Sequence, residues 1–477
     1  MAFQLSDTVN KDKVFLVKRS ELEGRLDTVF YKPVYRENEK KIRENTYAFD
    51  SVSHIANRIA DGPFGSDLKA EEYQPDGIPL LRVSNLKTGE IEGDIVFISE
   101  EKHNQLKRST VYPNDVVLTK AGAILGYSAV FPKKLGEGNI TSHLVTITCR
   151  DDVNPQYLSC FFRSSVGQLQ IYRWGNKSTR PELNTGEVEK ILVPLPPAEI
   201  QNQIVAKMNA AYTAKKQKEA QAQQLLDSID SYLLHELGIE LPVEEENGIT
   251  QRMFVRKFSE VSGGRFDAPG NWNRLNLYSA IYDNVLFNTV VAINPMTSLG
   301  FEDDTTVATF LPMESVSDVY GEASLTQTRQ IGESKGYTLF QDNDLIWAKI
   351  TPCMENGKSA VVQNLVNGIG FGSTEYHVFR SQETVNIHYI HALLRLKRLR
   401  MNAVNFFSGS AGHQRVDELF FRKMTIPLPP LKKQNEIAAQ IQTIRDRAKQ
   451  LRAEAAAGLE QAKSEVEAMI LGKDSNQ

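Results

Sequence analysis

Two long stretches of the chain carry the hydrophobic spacing of helices that pair lengthwise. In the second stretch, apolar residues fall at 437, 441, 444, 448, 451 and 455, and after one extra four-residue step at 459, 462, 466 and 469. This period of about 3.5 residues is typical of a coiled coil, and the extra step is a stutter. The first stretch starts at Ile200, is alanine-rich between Ala210 and Ala222, and regains large residues from Leu225 to Leu233.

We predict two helices of about 40 residues, each about 60 Å long, that bury their apolar stripes against each other in an antiparallel pair. Such a pair would hold the flanking domains at a fixed separation. The alternative is two helices that pack separately, each on its own domain. The predicted pairing positions are Ile200, Ile204, Leu226, Ile229, Leu233, Ile437, Ile441, Ile444, Leu451, Leu459 and Val466.

The segments before these helices have a different pattern. They contain short apolar runs that are β-branched or aromatic and are bounded by Gly, Asn, Asp or Pro, which is typical of strands. Short helices, predicted over 156–172 and 387–406, interrupt them. The pattern therefore predicts an α+β fold with two β-rich globular domains. The runs are 78–83, 116–118, 144–148, 345–347 and 360–362.

The chain repeats itself. Val193–Pro197 and Ile426–Pro430 each end in Pro-Leu-Pro-Pro and lead into a long helix, and Pro113–Lys120 resembles Asp342–Lys349 as a turn that feeds a buried strand. The offsets are all roughly 230–240 residues, which indicates an internal duplication with a pseudo-twofold repeat. We predict four parts: a first domain over 1–197, a helix over 198–240, a second domain over 241–430 and a helix over 431–472.

Composition limits the class of protein. The chain has 477 residues, 41% of them hydrophobic and 24% charged, and a net charge of −4, which is ordinary for a globular protein of several domains. No apolar run reaches about 18 residues, so we expect a cytoplasmic protein that does not span a membrane. The three cysteines form no CxxC and the histidines have no zinc spacing, so no metal site is predicted.

The chain matches known catalytic motifs only weakly. Gly357–Lys358–Ser359 resembles the end of a phosphate-binding loop, but Pro352 stands where the first glycine is needed. Asp76, Glu100 and Lys102 are the residue types of a metal-dependent nuclease, although 100–102 lies in a charged run. No Asn/Asp-Pro-Pro-Tyr/Phe segment of an adenine methyltransferase is present. We therefore predict no catalytic residue in this chain.

Basic side chains mixed with aromatic and amide residues favour DNA binding, because Lys and Arg contact phosphates and forked or amide groups contact base edges. An ordinary solvated basic face remains the alternative for each of them. The candidates in the first domain are Gly62, Phe64, Ser66, Lys69, Arg82, Asn85, Lys120, Arg173, Lys177 and Arg180. Those in the second domain are Lys349, Lys358, Arg395, Lys397, Arg398, His413, Gln414 and Arg415.

The whole chain resembles a specificity subunit of a type I restriction–modification system. The resemblance rests on Gly62–Ser66 (Gly-Pro-Phe-Gly-Ser), on the repeated Pro-Leu-Pro-Pro before Glu- and Gln-rich helices, and on the order domain, helix, domain, helix. It implies two target-recognition domains, each reading one half of a bipartite, asymmetric site in double-stranded DNA. The alanine-rich stretch from Ala210 to Ala222 departs from a regular heptad, so the pairing there is expected to be looser.

The resemblance also implies the partners. The paired helices would dock two methyltransferase subunits, and through them restriction subunits. No cofactor would bind this chain, because S-adenosylmethionine, ATP and Mg belong to the partner subunits. Two other hypotheses remain open at this point: a metal-dependent nuclease around Asp76, Glu100 and Lys102, and a coiled-coil adaptor that does not read DNA.

Overall fold

The computed structural model divides the chain into two compact units. One consists of Met1–Lys218 with Glu454–Gln477, and the other of Glu219–Ala453. Each unit holds one β-rich module and parts of both long helices. The residues that the structure describes are 9–10, 13–23, 25–63, 65–87, 89–122, 125–175, 181–242, 255, 257–258, 275–297, 303–408 and 414–473.

Module 1, the β-rich part of the first unit, precedes the first long helix. Its helices and that long helix are α1 Pro33–Arg43, α2 Val52–Ile55, α3 Glu100–Gln105, α4 Pro155–Arg163, α5 Ser165–Gly175, α6 Thr185–Val188 and α7 Ala198–Glu236. Its strands are β1 Ala48–Ser51, β2 Ala56–Asp61, β3 Ile78–Leu81, β4 Leu86–Lys87, β5 Glu90–Ile91, β6 Val96–Ile98, β7 Thr110–Val111, β8 Val116–Thr119, β9 Ser128–Val130, β10 Gly138–Ile140, β11 Leu144–Cys149 and β12 Leu192–Leu195. Its 3-10 helices are Arg19–Glu21, Thr28–Tyr31, Ala70–Glu72, Val83–Asn85, Lys107–Ser109 and Lys133–Leu135.

Module 2 is the β-rich part of the second unit. Its helices and the second long helix are α8 Ile387–Arg395, α9 Lys397–Val404, α10 Glu418–Arg422 and α11 Leu431–Ile470. Its strands are β13 Asn284–Leu286, β14 Val291–Ile293, β15 Val307–Leu311, β16 Thr328–Gln330, β17 Thr338–Gln341, β18 Leu345–Ala348, β19 Ser359–Val361, β20 Ile369–Gly372, β21 Tyr376–Ser381, β22 Phe407–Ser408, β23 Arg415–Val416 and β24 Thr425–Pro427. Its 3-10 helices are Phe287–Thr289, Met313–Ser315, Ile331–Ser334 and Val366–Gly368.

The two modules share one sheet plan. Module 1 has four-stranded sheets in the orders β2-β11-β8-β9 and β6-β3-β10-β7, and module 2 has β14-β21-β18-β19 and β16-β15-β20-β17. In each module one pair is parallel, β3 with β10 and β15 with β20, and the other pairs of these sheets are antiparallel. The predicted α+β duplication is confirmed.

A repeated turn explains why the strands β8 and β18 begin alike. Asn114 and Asn343 take the left-handed conformation, with φ of 71° and 68°, which asparagine tolerates better than most residues. The next residue, Asp115 or Asp344, is fully buried. Its carboxylate accepts a backbone N–H three residues upstream, at 2.9 Å from Tyr112 and 2.8 Å from Gln341. The local sequence therefore produces the same turn before β8 and before β18.

The start of each long helix is fastened to its module by the same hydrogen bonds. In the first unit the buried Gln201 accepts from the Asn154 backbone N–H at 2.9 Å and donates to the Pro196 carbonyl at 3.0 Å. In the second unit Gln434 accepts from Asn386 at 2.9 Å and donates to Pro429 at 2.8 Å. The repeated glutamines after Pro-Leu-Pro-Pro are thus the groups that lock helix to module.

The tyrosines of α4 and α8 complete these junctions. The hydroxyl of Tyr157 donates to the Pro194 carbonyl at 2.6 Å, and that of Tyr389 donates to the Pro427 carbonyl at 2.7 Å. Both tyrosines are fully buried, so each hydroxyl needs the carbonyl partner that it has. We call each set of Gln, Asn, Tyr and Pro contacts a helix junction.

The two long helices pair antiparallel within each unit. In the first unit Lys207 forms an ion pair with Glu465, and Lys218 lies 2.7 Å from Glu454. In the second unit Arg452 donates to Gln223 at 2.9 Å, and Lys433 pairs with Glu236. Residue numbers rise along α7 as they fall along α11. Because the helices also pack on the modules at both ends, the alternative of two separate helices is not found.

The predicted heptad positions form the seam. Ile204 packs in one cluster with Leu459 and Val466, and Leu233 with Ile437 and Ile441. In the alanine-rich stretch, Ala222 is fully buried against Ala448 and Leu451, whereas Ala210, Ala214 and Ala220 are exposed. The remaining predicted positions are buried or half-buried: Ile200, Leu226, Ile229, Ile444 and Leu451.

Two predicted helices are each broken in two. The helix predicted over 156–172 is interrupted at Ser164, and the one predicted over 387–406 is interrupted at Leu396. Both interrupting residues have extended ψ values, 160° and 123°, which end the i to i−4 hydrogen bonding. Of the helices that the structure describes, none is long and apolar enough to cross a membrane.

Candidate nucleic-acid interface

The strand order of module 1 brings several loops to one end. Gly62 follows β2 and donates its N–H to the Leu144 carbonyl at 3.1 Å, and Lys120 follows β8 and donates to the His143 carbonyl at 2.9 Å. Thr141 follows β10 and donates to the Leu81 carbonyl at 3.0 Å. We define loop end 1 as the residues described within 61–69, 82–85, 120–122 and 141–143.

Loop end 1 contains a groove of about 370 Å³. Arg82, Ser84 and Ser142 supply polar groups to its walls, and Leu68 and Tyr73 supply apolar surface. The Arg82 guanidinium donates to the Asp94 carbonyl at 2.8 Å, while its buried Nε has no hydrogen-bond partner among the described residues. The groove therefore has an arginine in its wall whose buried Nε no described protein group satisfies, and such unsatisfied donors are uncommon in folded proteins.

The glycine that opens loop end 1 is needed for close packing. A Cβ at Gly62 would lie 2.1 Å from the carbonyl oxygen of Thr141, which no side chain can adopt without moving the backbone. Gly65, by contrast, has open space around it. The predicted role of Gly62 therefore has a structural component: it lets two loops of the groove approach each other.

Other predicted residues of loop end 1 fall into two groups. Ser66 and Lys69 are exposed, and the Ser66 hydroxyl donates to Asp67 at 3.2 Å. Lys120 is 9% exposed, and its ammonium lies 3.4 Å from the Asp61 carboxylate. Lys120 thus lies in loop end 1, but the charge of its ammonium is partly compensated by the Asp61 carboxylate.

Asn85 and Arg173 are corrections to the prediction, because both side chains are turned inward. Asn85 is 1% exposed and caps its own turn by accepting from the Arg82 N–H at 2.9 Å. Arg173 is 6% exposed and forms ion pairs with Glu23 and Glu39. Groups committed in this way are not available to DNA.

Module 2 forms the corresponding loop end. Lys349 follows β18 and donates its N–H to the Glu375 carbonyl at 2.9 Å, which is the same contact that Lys120 makes in module 1. Burial lowers the pKa of the Lys349 ammonium, and neighbouring Arg415 adds to this effect while Glu375 opposes it. Arg415 binds Glu375 through two hydrogen bonds of 2.7 Å. We define loop end 2 as the residues described within 294–297, 312–315, 349–358, 373–375 and 414–415.

The remaining residues of loop end 2 are accessible to different degrees. Gln414 is exposed, and its carbonyl accepts from the Thr351 N–H at 3.2 Å. Lys358 is half-buried and donates to the Met313 carbonyl at 3.0 Å. Of the predicted residues described in loop end 2, Gln414 is exposed, whereas Lys349, Lys358 and Arg415 are half-buried.

The three predicted basic residues around Leu396 do not lie on one continuous helix, because Leu396 separates α8 from α9. Arg395 turns inward and donates to the carbonyls of Gly357, Asp318 and Val319, so its assignment to DNA binding is a second correction. Lys397 and Arg398 lie beside the end of α7, where Lys397 donates its backbone N–H to Asp230 at 2.9 Å and Arg398 donates to the Pro242 carbonyl at 3.1 Å.

Four predicted residues lie outside the described part of the chain: Phe64, Lys177, Arg180 and His413. The prediction missed the segment Thr141–His143, which lines the groove of loop end 1. Its position directly before the buried strand β11 was the available signal, because polar residues at a strand start belong to a loop.

The residues of the nuclease hypothesis do not form a site of that kind. Asp76 and Glu100 are exposed, and Lys102 forms an ion pair of 2.7 Å with Glu72. In the parts of the chain for which the structure gives positions, no group of three or more His, Cys, Asp or Glu side chains could hold a metal ion.

A comparison with known protein families decides the assignment. The model of the family described as "Type I restriction modification DNA specificity domain" matches residues 65–226 and again residues 299–461. The chain belongs to this family. Two matched segments in one chain agree with the two modules, and the predicted assignment to a specificity protein, rather than to a catalytic one, is confirmed at the level of the family.

Relatives of this specificity family support the assignment. The type I restriction enzyme EcoEI specificity subunit of Escherichia coli is 33% identical over 174 residues, which is 36% of this chain and 27% of that protein. The EcoAI specificity subunit of the same organism is 30% identical over 207 residues, 43% of this chain and 33% of that protein. The chain therefore spans about a third or less of the length of each of these relatives.

The fold of this specificity protein also resembles a solved structure. A chain from a structure that describes complex assembly and conformational transition of the type I R-M system has a TM-score of 0.56, covers 90% of this chain and 98% of its own length, and is 14% identical. At this identity the likeness concerns the fold alone, and it agrees with the two-module architecture.

Proposed function

We propose that this chain is the subunit that reads DNA sequence in a type I restriction–modification complex. It recognises a bipartite, asymmetric site, with module 1 on one half-site and module 2 on the other. The observation that carries this proposal is the duplicated module with one topology and different loops: loop end 1 holds Arg82 and Ser142, and loop end 2 holds Lys349 and Gln414. Two modules with the same fold and different loops are suited to the recognition of two different DNA sequences.

The paired helices act in this proposal as the spacer between the two readers. A rigid antiparallel pair fixes the distance and the helical phase between two half-sites, as the separation of two reading heads does in dimeric DNA-binding proteins. In this proposal the two target-recognition domains span 1–197 and 241–430, and the two spacer helices span 198–240 and 431–472. The helices also dock two methyltransferase subunits and, through them, restriction subunits.

Chemistry belongs to the partners in this proposal. The methyltransferase subunits supply S-adenosylmethionine, and the restriction subunits use ATP and Mg. This chain supplies the position on DNA, because phosphate contacts by its basic side chains orient it and base contacts in the groove select the sequence. Its own residues bind and orient the duplex.

The deciding experiment is co-expression with the methyltransferase subunit from the same genome, followed by sequencing of methylated bases. The expected result is methylation at one split motif, two short specific blocks separated by an unspecific gap. Methylation at a continuous motif, or none that depends on this chain, would contradict the proposal. Expression of the methyltransferase subunit alone is the control, and it should leave the motif unmethylated.

A further inference from the structure

The second unit contains a pocket of about 500 Å³ between α11 and module 2. One wall is a face of α11 that includes Asn435 and Arg445. The opposite walls come from His388 and His391 of α8 and from Gly321 and Glu322. We call this the Arg445 pocket. It is separate from both loop ends, so the reading of DNA does not account for it.

Arg445 is an unusual lining residue. Its side chain is only 7% exposed, yet no hydrogen bond or ion pair joins its guanidinium to any group that the structure describes. Glu322 lines the same pocket, but its carboxylate forms an ion pair with Lys449. A buried cation without a hydrogen-bonded partner is costly, because desolvation is not fully offset. Glu322 and Asp446 act on the charge of Arg445 through space, and burial still lowers its pKa. The pocket therefore holds a positive charge to which no anionic group is hydrogen-bonded among the described residues.

A second arginine lies close to Arg445. Arg395 lies nearby with its guanidinium bound to three carbonyl groups, and burial together with the charge of Arg445 lowers the pKa of Arg395 to about 9. Burial also lowers the pKa of His388 and His391, so both rings are neutral near pH 7. Asn435 accepts from Asn386 at 2.7 Å through its carbonyl oxygen, which leaves its amide N–H groups for a ligand.

The position that corresponds to Arg445 beside module 1 holds a different residue. The same offset relates Gln201 to Gln434, Lys216 to Lys449 and Tyr212 to Arg445. In module 1 the Arg163 guanidinium donates to the Tyr212 hydroxyl at 2.9 Å and lies over its ring at 5.3 Å. The arginine that corresponds to Arg395 thus has a neutral acceptor there. Module 2 replaces this acceptor with a second cation.

We propose that the Arg445 pocket binds a small oxyanion, either a phosphate or a carboxylate, through the guanidinium of Arg445. A guanidinium presents a planar fork of N–H donors that matches two oxygens of such an anion, and the pair gains strength where water is excluded. The anion supplies the hydrogen-bonded negative partner that Arg445 lacks among the described residues. Asn435 adds a neutral donor from the same face of α11.

The test uses the full chain without DNA, so its outcome does not depend on the proposed DNA-reading function. Thermal unfolding is followed in sodium phosphate, sodium acetate and sodium chloride at equal pH and ionic strength. Phosphate or acetate at ten times the dissociation constant should raise the unfolding midpoint by about 2 °C over chloride. The anion that raises the unfolding midpoint identifies the ligand class as phosphate or carboxylate. Isothermal titration calorimetry with that anion should give one site per chain.

Three variants make the assignment specific. Arg445→Tyr introduces the residue found at the corresponding position beside module 1, and it should abolish the anion-dependent shift while raising the midpoint in chloride, because the buried charge is gone. Arg445→Gln should also abolish the shift, and it serves if the tyrosine does not fit. Lys432→Gln removes an exposed positive charge from the same helix and should keep the shift. An equal shift in all four proteins, or none with either anion, would overturn the proposal.

Discussion

Arg82 and Arg173 show how one residue type takes opposite roles in module 1. Both are basic residues near aromatic or amide side chains, and both were predicted to bind DNA. Arg173 is neutralised by Glu23 and Glu39, which are far away in sequence, whereas Arg82 keeps an unsatisfied Nε beside the groove. The sequence pattern could not separate them, because the acidic partners of Arg173 are brought to it only by the fold.

Arg82 is therefore the residue that we expect to matter for one half-site. Arg82→Ala should weaken recognition of the half-site read by module 1 by about 1–3 kcal/mol and leave the other half-site unchanged. Lys349→Ala should act on the other half-site only. Binding of the complex to DNA with each half-site mutated in turn measures both effects. Lys40→Ala, a change at an exposed lysine of α1, is the charge-matched control; equal losses on all DNAs would show a phosphate contact instead.

The helix junctions lead to a second prediction for single residues. Gln201→Ala or Gln434→Ala leaves a buried backbone N–H and a buried carbonyl without partners, at an expected cost of about 2 kcal/mol in the unfolding of the affected unit. Urea unfolding followed by circular dichroism measures the shift of the midpoint. Gln203→Ala, at an exposed position of the same helical turn, should have little effect. A loss no larger than that of Gln203→Ala would show that water replaces the amide.

At the scale of elements, the sequence predicted the regular parts well. The spacing of Ile437, Ile441, Leu451 and Leu459 predicts the seam of α11, because a heptad pattern depends only on neighbours along one helix. The break at Leu396 was not predicted. The segment 393–401 has helical propensity throughout, and the carbonyl groups that bind Arg395 beside the break are far away in sequence. The local sequence pattern therefore predicts the helices and strands, whereas tertiary hydrogen bonds determine which side chains face outward.

The helix pair should respond to acid in a predictable direction. Hydrogen bonding to Lys433 lowers the pKa of Glu236, and hydrogen bonding to Lys207 lowers that of Glu465, each from an ordinary value of 4.5. A depressed carboxyl pKa stabilises the fold above pH 4.5, and this contribution is lost as the pH falls through the lower, folded value. The double variant Glu236→Gln, Glu465→Gln should thus lose less stability than the native chain between pH 5 and about 3.

Unfolding midpoints measured across that pH range provide the check. Glu460→Gln is the matched control, because Glu460 pairs with Lys463 on the same helix rather than across the pair. It should follow the native acid profile closely. If the double variant also follows that profile, the two interhelical ion pairs contribute nothing to pairing.

For the whole molecule, the proposed spacer predicts how the DNA site responds to helix length. A four-residue insertion within 214–217 lengthens α7 by about 6 Å, which is about two base pairs of DNA. We expect the gap between the half-sites to change while both half-sites stay the same, and methylated-base sequencing reads out both. A four-residue insertion between Gly136 and Glu137, in the exposed turn before β10, is the control of equal size outside α7. An unchanged gap in the α7 variant would refute the spacer role.

The helix junctions have a consequence for inheritance. Both modules end in Pro-Leu-Pro-Pro and meet their helix through the same glutamine, asparagine and tyrosine contacts. Homologous recombination between genes at these codons would deliver a new module to an unchanged set of hydrogen bonds. Under the proposed function, a lineage could then replace half of its DNA target in one genetic event, with no intermediate that folds poorly.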